Sequence, residues 1–97
     1  MSLPASISNL SPNYNNRPVN QSVDMVVIHY TGMITGKSAL ERLCDPASKV
    51  SAHYLIEENG DIYQLVADEK RAWHAGVSYW MGQENLNDCS IGIELVN

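Results

Sequence analysis

The stretch SAHYLIEENGDIYQLV, residues 51–66, leaves this chain the fewest choices. Two apolar runs with period-two alternation flank Asn59-Gly60. That dipeptide is the preferred centre of a type I′ hairpin turn. The spacing predicts strands over 51–57 and 61–66, paired antiparallel. Any fold of this chain has to build a sheet around that hairpin.

The remaining segments supply the rest of the sheet and its cover. MVVIHYT, residues 25–31, is apolar on both faces and predicts a central strand covered on both sides. Thr35 is a candidate N-cap for a helix over about 36–44. Ala39, Leu40, Leu43 and Cys44 fall on one face of that helix. CDPASK stops it, because the residue before proline is pushed out of helical conformation. ADEK (67–70) predicts a short helical turn. Residues 71–90 read as a loop, and a loop of that length inside a compact domain is usually functional. SIGIELVN, at 90–97, is the fourth strand. Residues 1–22 are rich in Ser, Asn and Pro and read as an extended arm with little structure of its own. Such an arm docks along the domain or frays. Residues 23–97 carry the folded part. The order β-α-β-β-loop-β gives an α/β class with a mixed sheet and helix on at least one face. No helix follows the fourth strand to cover it, so the expected object is the first part of a larger domain.

Bulk properties narrow the function. Ninety-seven residues make one domain at most. A chain of this size buries about two thirds of its unfolded surface, enough for a modest core. With 44% hydrophobic and 18% charged residues it is not a disordered chain. The net charge of −5, without any Lys/Arg cluster, argues against a nucleic-acid partner. No apolar run approaches the ~20 residues of a membrane span. MSLPASISNL lacks the basic start and long apolar core of an intact signal peptide, and the compartment stays open. Cys44 and Cys89 have no zinc-finger spacing and are expected as free, half-buried thiols.

Four side chains stand out. His29 sits near the carboxyl end of an apolar strand, where ligand sites of open α/β sheets lie. It is either a core histidine bonded to backbone or a metal ligand. Glu94 shares a strand face with Gly92 and Val96. It is either a solvated edge residue or a buried carboxylate whose raised pKa suits a general base. His53 reads first as a structural histidine bridging the sheet. His74, in RAWHAG beside Trp73 and Gly76, is either an exposed loop residue or a ligand contact. No His-x-x-x-His or His-Glu-x-x-His spacing is present, so spacing alone does not make a zinc site.

Five stretches in order, DMVVIHYTGM, ALERLCDP, KVSAHYLIEENGDIYQLV, EKRAWHAGVSYW and SIGIELVN, resemble the zinc-dependent N-acetylmuramoyl-L-alanine amidases of the amidase-2 family. That family shares its fold with the peptidoglycan recognition proteins. The resemblance implies that His29 is the first zinc ligand and Glu94 the catalytic acidic residue. It places Tyr30, His74, Ala75 and Gly76 near the substrate groove, and gives the His53 position a histidine that is usually not a ligand. The implied reaction is hydrolysis of the amide between the lactyl group of N-acetylmuramic acid and L-alanine, with peptidoglycan or a muropeptide as partner.

The sequence departs from the family pattern after Asn97. The family has a second histidine ligand, a third ligand and a nearby basic residue beyond this point, so the implied zinc site is incomplete in this chain. Three accounts follow: a shortened polypeptide, one piece of a domain completed by another chain, or a half-protein with a binding role; self-association through the uncovered final strand is a separate expectation. The leading expectation is an amidase with part of its site here. The alternative is a non-catalytic peptidoglycan-binding module, against which the retention of both His29 and Glu94 argues.

Overall fold

The Asn59-Gly60 hairpin is present, with a different turn from the one its sequence predicts. In the computed structural model, which describes residues 6–33, 35–75, 79–80 and 83–97, the turn closes through Gly60 N–H to Glu57 O at 3.0 Å and Glu57 N–H to Asp61 O at 2.8 Å. Only Gly60 takes a positive φ, +95°. This is a three-residue connection ending in a glycine bulge, not a type I′ turn. The cause is local. The Asn59 side chain accepts the Asp61 N–H at 2.9 Å, so Asn59 spends its oxygen on an Asx turn and leaves the left-handed step to glycine.

The flanking strands are shorter than expected. Numbering strands in chain order, the elements are β1 (Ile7–Ser8), β2 (Tyr14–Asn16), β3 (Met25–Tyr30), α1 (Gly36–Leu43), β4 (Tyr54–Ile56), β5 (Ile62–Gln64), β6 (Lys70–Ala72), β7 (Tyr79–Trp80), β8 (Gln83–Glu84) and β9 (Ser90–Leu95). The main sheet runs β1-β5-β4-β9-β3. Its β4–β5 pair is antiparallel, while β1–β5, β4–β9 and β9–β3 are parallel. The fold is therefore α/β with a mixed sheet. Thr35 caps α1 by accepting the Ser38 N–H at 3.1 Å, and the helix buries Ala39 and Leu43. These pack on Leu55, Leu65, Val66, Ala72 and Val96 to form the core, which lies on one side of the sheet.

Three expectations are corrected. First, β3 is an edge strand among the described residues, and β9 lies inside the sheet between β3 and the central β4. On β3, Val26, Ile28 and Tyr30 are 59%, 56% and 68% exposed, while His29 on the opposite face shares a cavity with Ala39, Arg42 and Leu43 of α1. Second, ADEK forms a turn that leads into β6 rather than a turn of helix; Lys70 N–H bonds Ala67 O at 3.0 Å. The 71–90 segment is likewise more ordered than a loop, holding the end of β6, the β7–β8 pair and a 3₁₀ turn at Leu86–Asp88.

Third, the N-terminal arm, expected to dock or fray, docks and takes on more structure than its composition predicts. β1 extends the main sheet, and β2 pairs antiparallel with β6. Its Ser and Asn residues satisfy backbone that would otherwise be stranded. Ser11 Oγ donates to Leu43 O at 2.5 Å, and Asn13 Nδ2 donates to Val50 O at 2.8 Å. Arg17 goes further, its two terminal nitrogens reaching the carbonyls of Asn87, Asp88, Asp68 and Ser90 at 2.9–3.1 Å. Cys44 and Cys89 are free thiols.

Candidate active site

Parallel register puts His29 and Glu94 side by side. The β3–β9 ladder pairs Met25 with Ser90, Val27 with Gly92 and His29 with Glu94. Side chains alternate along a strand, so Ser90, Gly92 and Glu94 share one face with His29. Ile91, Ile93 and Leu95 share the other with Val26, Ile28 and Tyr30. His29 and Glu94 line one cavity of about 140 Å³ with Arg42 and Leu43 of α1, Thr31 and Met33.

Glu94 Oε2 is buried with no hydrogen-bond partner among the described residues. Burial raises the Glu94 carboxyl above its ordinary value, while His29 and Arg42 pull it back toward ionisation. A buried carboxylate oxygen kept unpartnered beside an imidazole is available to a proton or to a ligand.

His74 enters from the segment after β6 and joins His29. Its Nδ1 lies 3.1 Å from His29 Nε2, and its Nε2 lies 2.9 Å from Ser90 Oγ. The ring needs the glycine of β9: a Cβ at position 92 would fall 2.4 Å from its Cγ. Burial drives the His74 pKa down to about 3, with His29 and His53 pushing the same way, so the ring is neutral. Asn87 fixes the segment, its Oδ1 accepting the His74 and Ala75 N–H groups at 3.0 and 2.9 Å.

The other predicted residues fall as follows. Tyr30 borders the cavity from a strand position opposite in facing to His29 and is exposed. Ala75 sits beside His74. Gly76 lies outside the described residues. His53 is fully buried and bridges the sheet, Nδ1 accepting the Gly92 N–H at 3.0 Å and Nε2 donating to Lys70 O at 2.9 Å. Sequence reasoning missed Arg42, Asn87 and Ser90. Ser90 carried a signal, since the period-two pattern through Glu94 and Gly92 also includes it.

The donor set bears on a metal. Catalytic zinc takes about three protein ligands. Among the described residues no group of three or more His, Cys, Asp or Glu is placed to hold one. One imidazole, His29, with a half-buried carboxylate beside it whose Oε2 has no partner among the described residues, fits part of such a site.

A family model described as N-acetylmuramoyl-L-alanine amidase matches residues 19–97. The chain belongs to the amidase-2 family. The amidase-2 chain is 38% identical over 102 aligned residues to 1,6-anhydro-N-acetylmuramyl-L-alanine amidase AmpD of Escherichia coli, covering 88% of this chain and 56% of AmpD. It is 46% identical over 82 residues to N-acetylmuramoyl-L-alanine amidase AmiD of the same organism, covering 77% of this chain and 29% of AmiD. A crystal structure of an AmpD derivative superposes with a TM-score of 0.86 at 37% identity, over 99% of this chain and 63% of that one. E. coli AmiD in complex with the substrate anhydro-N-acetylmuramic acid-L-Ala-D-γ-Glu-L-Lys superposes at 0.68 with 38% identity, over 100% and 34%. The amidase-2 chain thus spans about half the length of the AmpD relatives it matches. Among its described residues no helix is long and apolar enough to cross a membrane.

Proposed function

We propose that this chain is part of a zinc-dependent N-acetylmuramoyl-L-alanine amidase acting on muropeptides, and that it carries only part of the site. The reaction is hydrolysis of the amide between N-acetylmuramic acid and L-alanine. The observation that supports this best is the juxtaposition of His29 and an unpartnered Glu94 carboxylate oxygen on adjacent strands of one cavity.

In this reading His29 holds the metal as one ligand of a set. Zinc, when bound, supplies carbonyl polarisation and a water acidified toward pKa ~7. Glu94 accepts the proton of the attacking water and passes it to the leaving amine. Its raised pKa makes it a better base than an exposed carboxylate, and His29 and Arg42 oppose the shift. The His74 and Ala75 N–H groups are both spent on Asn87. Their segment therefore shapes the groove, with Gly76 following it and Tyr30 at the rim.

The test joins the chain to the part of E. coli AmpD that it does not match. The fusion should take up zinc and cleave the anhydro-muropeptide, and the 97-residue chain alone should bind zinc weakly and cleave little. Glu94→Gln in the fusion should lower turnover by roughly 10²–10⁴. A folded fusion that binds muropeptide but neither takes zinc nor cleaves would sink this proposal and favour a binding module.

A further inference from the structure

His29, His74 and Ser90 come from three segments, and one placement of their hydrogens satisfies all of them. Ser90 Oγ is 2.6 Å from the carbonyl oxygen of Leu86. A carbonyl can only accept, so the Ser90 hydroxyl donates there. The same Oγ lies 2.9 Å from His74 Nε2. Ser90 has no second hydrogen, so His74 Nε2–H donates to it. A neutral imidazole carries one N–H, which leaves His74 Nδ1 as a bare acceptor. That atom lies 3.1 Å from His29 Nε2, so His29 carries its hydrogen on Nε2 and its lone pair on Nδ1.

The relay is held from behind. Asn87, 4% exposed, accepts the His74 N–H. The missing Cβ of Gly92 makes room for the ring. Ser90 is fully buried on β9, two residues before that glycine and four before Glu94. The tautomer of His29 is therefore set by two side chains that do not line the cavity themselves.

We propose that His74 and Ser90 are positioning residues for His29, locking it as the Nε2–H tautomer so that Nδ1 is the atom left to ligate a metal. This rests on the reading of His29 as a ligand. A metal-binding histidine generally donates its other N–H to an oriented acceptor, and loss of that acceptor weakens metal binding by roughly 10–100-fold. Here the acceptor is a second imidazole, itself aimed by a serine.

The test is a long-range proton–nitrogen correlation spectrum of the ¹⁵N-histidine-labelled chain without metal, above neutral pH. A protonated Nε2 and bare Nδ1 on His29 are expected; the opposite tautomer would falsify the relay. This measurement needs no variant. His74→Gln, which retains an acceptor oxygen, should hold the tautomer better than His74→Ala. Ser90→Ala should let His74 and His29 populate both tautomers and weaken zinc binding by roughly 10–100-fold. Added zinc should perturb Nδ1 of His29. A perturbation at Nε2 instead overturns the positioning role while leaving His29 a ligand. An Nε2–H ring that ignores saturating zinc overturns the ligand reading, and the positioning role with it.

Discussion

Glu94 is half-buried and His53 fully buried, and they pull stability in opposite directions with pH. Glu94 has a raised pKa because burial penalises its charged form. The folded state then binds the proton more tightly than the unfolded one, so this group makes stability fall as pH rises through and above the carboxyl range. Glu94→Gln should accordingly raise the urea midpoint at neutral pH, with the gain shrinking in acid. A variant less stable than the parent at neutral pH would contradict the burial argument. His53 is depressed, first by burial and further by Arg17, although its bond to Lys70 O opposes the shift. Its contribution to stability is present above the ordinary histidine value of about 6.5 and is lost as pH falls. Protonating it would also cost the bond from Gly92 N–H. The His53 Cε1–H proton resonance should therefore titrate at lower pH than that of an exposed histidine; an ordinary titration would show the ring to be solvated.

At the scale of elements, β9 decides most of the site, and its alternation was readable. Ser90, Gly92 and Glu94 face α1, and Ile91, Ile93 and Leu95 face away, as a period-two reading gives. Gly92 is the least replaceable of them, because a methyl group would enter the His74 ring. Gly92→Ala should destabilise the chain by about 1–3 kcal/mol and displace His74, seen as a lower urea midpoint and a changed His29 ring spectrum. The cap at Thr35 and the helix that follows it were equally legible, since capping and helical spacing are local signals. The turn was legible in place but not in type. Asn59 could serve the left-handed step or the Asx bond, and only the folded loop shows which. The position of β3 was not legible. A strand apolar on both faces reads as central, whereas its neighbours are set by pairing with a segment far along the chain.

For the molecule as a whole, the arm is where composition misled most. A run of Ser, Asn and Pro reads as unstructured because it has little to bury, yet Ser11 and Asn13 are buried at 3% and 2% exposure. They earn that burial by satisfying other segments' carbonyls, which no local pattern announces. Arg17 ties four carbonyls from two segments. Arg17→Met should cost at least about 2 kcal/mol, measured by urea unfolding, since buried carbonyls lose a charged donor. A change within experimental scatter would show the carbonyls to be hydrated. The parallel pairing of β3 with β9 has a further consequence, in time. Met25 meets Ser90 and Tyr30 meets Leu95 across a separation of 65 positions, so a ribosome has made α1 and the hairpin before β3 can find its partner. Long loops must close before such contacts reward the chain. His29 therefore waits some 65 positions of synthesis for Glu94, and the nascent polypeptide carries an unpaired β3 until β9 emerges.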